Sequence, residues 1–114
     1  MAEVIWTEPA LIDLHDIFEY IARDSFTYAG KFVNRVVVAV KRLEQFPRCG
    51  RIVPEFNNES IRELICEVYR IIYLFRKNRC YIVTVIQMLK MEVIGWNVPL
   101  FPVVPHKVKR KKRP

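Results

Sequence analysis

The side chains here best able to grip another molecule are arginines, and two of them, Arg48 and Arg51, flank Gly50 in the segment PRCGRIVPEFNNES at 47–60. A guanidinium carries a rigid fork of donors and keeps its charge throughout the physiological range. A backbone turn at Gly50 would aim both forks outward, toward a carboxylate or a phosphate. A solvated arginine paired with a nearby acid such as Glu55 fits the same spacing, and both readings stand at this point. A second set lies in VYRIIYLFR, where strand periodicity puts Tyr69, Ile71, Tyr73 and Phe75 on one side and Arg70, Ile72, Leu74 and Arg76 on the other. The third set is a terminal run in which Lys107, Lys109, Arg110, Lys111, Lys112 and Arg113 occur without an acid. Such a run is either a solvated tail or a loose, salt-sensitive attachment to DNA or RNA.

Other reactive residues point to less. Cys49, Cys66 and Cys80 have no metal-ligand spacing, and an odd count argues against a secreted disulfide framework. Cys66 and Cys80 fall in strand-like runs and read as small core residues. His15 lies among acids and His106 in the tail, each without a metal or nucleophile partner in the sequence. Ser25 and Ser60 sit at element boundaries and read as caps. No cofactor and no metal are expected.

The elements that must position the arginines follow from pattern and length. A chain of 114 residues, 52% of them hydrophobic and only 3 of them Gly, is expected to bury one core in one domain. The six basic residues of the terminal run leave 13 others against 12 acids, so the net charge of +7 belongs to the tail and the body is about neutral. Glu3–Trp6 is a short β-prone run, too short to stand alone, and is expected to join a later sheet. Thr7 then caps a helix, with Pro9 where no helical amide bond is lost. Leu11, Leu14, Ile17, Phe18 and Ile21 follow at helical spacing, with Asp13, Asp16 and Glu19 on an acidic outer face.

A second helical set, Ala29, Phe32, Val33, Val36, Val40, Leu43 and Phe46, ends at Pro47 and should fold back on the first as an antiparallel hairpin. Residues 47–60 read as a long surface loop. Residues 61–87 then form three Ile-, Val- and Tyr-rich runs, with Lys77, Asn78 and Arg79 as a polar turn: an antiparallel meander. The fold class expected is α+β, with the helices on one sheet face. The other face, which carries aromatics and arginines together, is the expected binding surface.

With these elements in this order, the chain resembles the RelE/ParE toxin superfamily of type II toxin–antitoxin modules. The resemblance rests on WTEPALIDLHDIFEYIARDS near the start, LEQFP followed by GRIVPE, the run IRELI, and VYRIIY, together covering residues 4–87. It is nearest to the ParE-like, plasmid-stabilisation branch. It implies a cytoplasmic toxin held inactive by a cognate antitoxin, with DNA gyrase as the target of ParE-like members and ribosome-bound messenger RNA as the substrate of RelE-like ones. In the ribonuclease branch, basic side chains, an arginine after the last strand and a C-terminal tyrosine activate a ribose hydroxyl, stabilise charge on phosphorus and protonate the leaving oxygen. Here Arg62, Arg70 and Lys90 are the matching candidates. For contact with target or antitoxin, the resemblance points to Arg48, Arg51, Arg62, Tyr69, Arg70, Tyr73 and Gln87.

The chain leaves that pattern at Gln87. In place of a His-Gly-Arg-Arg-like or Gly-Lys-Arg-like segment it continues Gln87-Met88-Leu89-Lys90-Met91, and no tyrosine follows Tyr81. Lysine lacks the planar two-pronged geometry that clamps phosphate, and the indole of Trp96 is no acid. A gyrase-inhibiting toxin that acts by binding is therefore the expectation. A ribosome-dependent endoribonuclease is the alternative, and an inactive remnant or nucleic-acid-binding module the second alternative. Residues 1–98 are expected to form the toxin domain. Residues 99–114, Pro-rich and then basic, are expected to be a flexible tail. The opening MAEVIW lacks the pattern of a signal peptide, and no apolar run reaches the ~20 residues of a membrane span.

Overall fold

The structure is a computed structural model and describes residues 1–88. The expectations for Lys90, for the 98/99 boundary and for the tail lie outside the described residues. The order of elements is strand β1 (Glu3–Trp6), helices α1 (Glu8–Ala22) and α2 (Phe26–Lys41), and strands β2 (Arg51–Ile52), β3 (Ile61–Cys66), β4 (Tyr69–Arg76) and β5 (Arg79–Gln87). A short 3₁₀ turn, Arg42–Glu44, extends α2. The five strands form one sheet in the order β1-β5-β4-β3-β2. β1 is parallel to β5, and the other neighbours are antiparallel.

Thr7 starts α1 as expected, its Oγ1 accepting from the Ala10 amide at 3.3 Å. The same hydroxyl donates to the Ile82 carbonyl at 2.7 Å, so the cap also fastens the helix to β5. Ser25 caps α2 through the Tyr28 amide at 3.0 Å. Ala10, Leu14, Phe32, Val36, Val40 and Leu43 bury their side chains against Ile71, Tyr73, Ile82 and Val85 on one sheet face. Each fully buried aliphatic or aromatic side chain there contributes about 1.5–3 kcal/mol. Phe46 does not join them: the 3₁₀ turn rotates it away from the core, and it is exposed.

Two further expectations change. The segment at 47–60 is not loop throughout, because Arg51 and Ile52 pair with Glu63 and Arg62 as β2. Asp13 does not belong to an outer face: its Oδ2 accepts from the Thr84 hydroxyl and, at 3.2 Å, from the Val85 amide. The β4–β5 register shifts beside Ile72 and Tyr73, which face Thr84 and Ile82, so Val83 is left without a partner. A bulge of this kind interrupts the ladder, and Asp13 enters at the interruption.

Candidate functional site

Strand alternation on β3 and β4 puts Glu63, Arg70, Ile61, Ile72 and Leu74 on the sheet face away from the helices. Burying a charge there requires a partner, because desolvation of an unpaired ion costs several kcal/mol. Glu63 is fully buried and has two partners: its Oε1 accepts from Arg70 Nε at 2.6 Å and its Oε2 from Arg51 Nε at 2.5 Å. The remaining side of Arg70 is taken by Glu55 in a two-pronged pair, at 3.0 and 2.8 Å. Val53, Ile61, Ile72 and Leu74 form a small buried cluster on the same face, with Phe56 packed against it. This face is therefore not the open mixture of aromatics and arginines that strand alternation suggested.

A second set of bonds fixes the loop at Gly50. The Tyr73 hydroxyl donates to the Pro47 carbonyl at 2.7 Å and accepts from the Gly50 amide at 2.9 Å. Arg62 holds the same loop through three carbonyls, those of Gly50 at 2.9 Å, Arg48 at 3.2 Å and Glu59 at 3.0 Å. Only glycine fits at position 50: a Cβ there would lie 2.7 Å from the Glu63 carbonyl oxygen and from the Tyr73 ring and hydroxyl. The turn thus exists as the sequence suggested. Its arginines divide in role: Arg62 turns inward, whereas Arg48 and Arg51 remain exposed.

The remaining predicted residues are dispersed. Tyr69 is buried on the helix side with its ring tilted against Phe32, centroids 5.1 Å apart. Tyr73 is wholly buried, and both tyrosines pack into the core. Gln87 is exposed and lines a groove of about 410 Å³ with Asp13, Asp16, Ile17, Tyr20 and Tyr69. Sequence reasoning offered Glu55 as a partner for the loop arginines, whereas it pairs with Arg70, and it missed Glu63, which strand alternation puts on the same face as Arg70. His15 sits on the surface beside Glu19 at 3.3 Å. Cys66 and Cys80 are buried free thiols, as read, and Cys49 is an exposed one.

Protonation follows from these contacts. The bonds from Arg70 hold the Glu55 carboxyl below the usual range, and the bonds from Glu55 and Glu63 push Arg70 further up, so the pair stays ionised at neutral pH. Burial raises Tyr73 to about 12 and Cys80 to about 11, which keeps both protonated. Among the described residues no His, Cys, Asp and Glu group is arranged to hold a metal ion. No helix among them is long and apolar enough to cross a membrane.

Comparison with known proteins links this chain to toxins of toxin–antitoxin systems. The family described as the ParE toxin of the type II toxin–antitoxin system parDE matches residues 4–90. Toxin RelE2 of Caulobacter vibrioides (strain ATCC 19089 / CIP 103742 / CB 15) is 35% identical over 65 residues, which cover 57% of this chain and 69% of that protein. A chain of the chromosomal ParDE TA system from P. aeruginosa superposes with a TM-score of 0.64 at 24% identity, over 76% of this chain and 96% of that one. The last likeness concerns the fold alone.

Proposed function

This chain belongs to the ParE toxins of type II toxin–antitoxin systems, within the RelE/ParE superfamily, and from that membership we propose that it inhibits DNA gyrase by binding it in the cytoplasm. The family implies an antitoxin partner. The observation that carries the gyrase reading is the employment of the two arginines a nuclease would need. Arg70 is closed in by Glu55 and Glu63, and Arg62 donates to three of the chain's own carbonyls. A phosphate could claim Arg70 only after displacing Glu55. The exposed guanidinium of Arg51, held at its root by Glu63, suits a protein surface and is the first contact we assign to target or antitoxin.

The second reading, a ribosome-dependent messenger ribonuclease, draws support from the 35% identity to a protein named Toxin RelE2. Induced expression separates the two. Gyrase poisoning predicts growth arrest with SOS induction and gyrase-linked DNA breaks, relieved by co-expression of the antitoxin. Messages cut within translating ribosomes, with chromosomes intact, would replace it by the nuclease. Undisturbed growth with soluble, folded protein would remove both.

A further inference from the structure

We infer that the turn end of the β4–β5 hairpin, with Arg48 from the Gly50 loop, forms a site for a phosphate oxyanion. Arg76 stands directly opposite Arg79 in the ladder, and facing like charges on paired strands repel. Glu3 answers Arg79 at 3.2 Å, but among the described residues no acid answers Arg76. Next to it, Lys77 occupies the first left-handed position of the turn, with φ 50, followed by Asn78 with φ 61. That position suits Asn, Asp or Gly, and a lysine there is uncommon. The turn is also anchored: Asn78 donates its side-chain amide to the Met1 carbonyl at 3.1 Å, and its own carbonyl accepts from the Glu3 amide at 3.1 Å. Lys77 therefore projects from a fixed root.

The third cation is preset as well. Arg48 lies over the Phe75 ring, 5.2 Å from its centroid, while Arg62 holds the Arg48 carbonyl. A stacked guanidinium keeps its donor edge free for a two-pronged contact. Arg48, Arg76 and Lys77 line one cleft with Ser60 and Asn78, and against them the cleft sets the acid Glu59. A single carboxylate would be satisfied by one arginine fork. A tetrahedral phosphate accepts from several directions, which matches a fork, a second guanidinium, a point charge and a hydroxyl donor. The inference does not depend on whether gyrase or the ribosome is the target.

The test uses the full chain, so that the basic tail contributes equally to every variant. Binding of a short labelled single-stranded oligonucleotide is measured across a salt series for the wild type, R76Q/K77Q and the charge-matched control K31Q/R42Q, whose positions are also exposed. R76Q/K77Q should weaken binding about tenfold and reduce the salt slope by about 0.7 for each lost contact, with the control within about twofold of wild type. Equal losses in both variants, or none in R76Q/K77Q, would overturn the site. Titrated inorganic phosphate should shift the Asn78 and Arg79 amide resonances in wild type and not in R76Q/K77Q. An oligonucleotide held no tighter than inorganic phosphate would keep the site and assign it to a free phosphate. A glutamate-rich peptide displacing the oligonucleotide as well as phosphate does would overturn the ligand class.

Discussion

Glu63 shows what a single residue decides in this fold. Its carboxylate is wholly buried between Arg51 and Arg70, and an amide in its place would turn a donor toward a guanidinium and leave Arg70 with Glu55 alone. Glu63→Gln, nearly identical in volume, should lower unfolding stability by about 3 kcal/mol in urea titrations. A loss below about 1 kcal/mol would mean that the arginines find other partners or water. Glu55 adds a pH dependence. Arg70 holds its folded pKa below the ordinary carboxylate value, so its contribution is complete above that value and is lost as the pH falls through the lower folded one. As the pH falls through and below the ordinary carboxylate range, Glu55→Gln should flatten the acid decline in stability relative to wild type. The arginines were legible in the sequence, but which acid answers which arginine was not. That choice depends on the register of β2 on β3 and of β3 on β4, pairings between residues distant in sequence.

Among the elements, α1 and α2 could be read from helical spacing and their caps because those signals lie within a few residues of one another. β2 could not, since two residues make no pattern of their own and the strand exists only against Glu63 and Arg62. Asp13 was misread for a related reason: helical spacing put it among acids, and the tertiary bulge in β5 gave it donors. Thr7 was read as a helix cap alone, whereas it also bonds β5, joining α1 to β5 through one hydroxyl. Thr7→Val should therefore cost about 1–2 kcal/mol, more than a simple exposed cap, with the urea m-value unchanged. A change in m would indicate that β1 and α1 detach together as a separate unit.

For the whole molecule, the order of strand, two helices and three strands was readable, and with it the family. The parallel seating of β1 on β5 was not, because no local pattern states which edge of a meander a first strand will choose. The structure also changes where the molecule offers itself to partners. The sheet face away from the helices carries a neutralised charge network and a small core of its own, and exposed guanidinium groups lie at Arg51, which Glu63 holds by its Nε, and around the hairpin end. Adding the purified full chain to DNA gyrase and relaxed plasmid, alongside translating ribosomes carrying a defined message, separates gyrase inhibition from message cleavage. A gyrase inhibitor stops supercoiling, with gyrase-bound DNA breaks, while the message stays whole. Uninhibited supercoiling together with a message cut in the ribosome would contradict the gyrase reading.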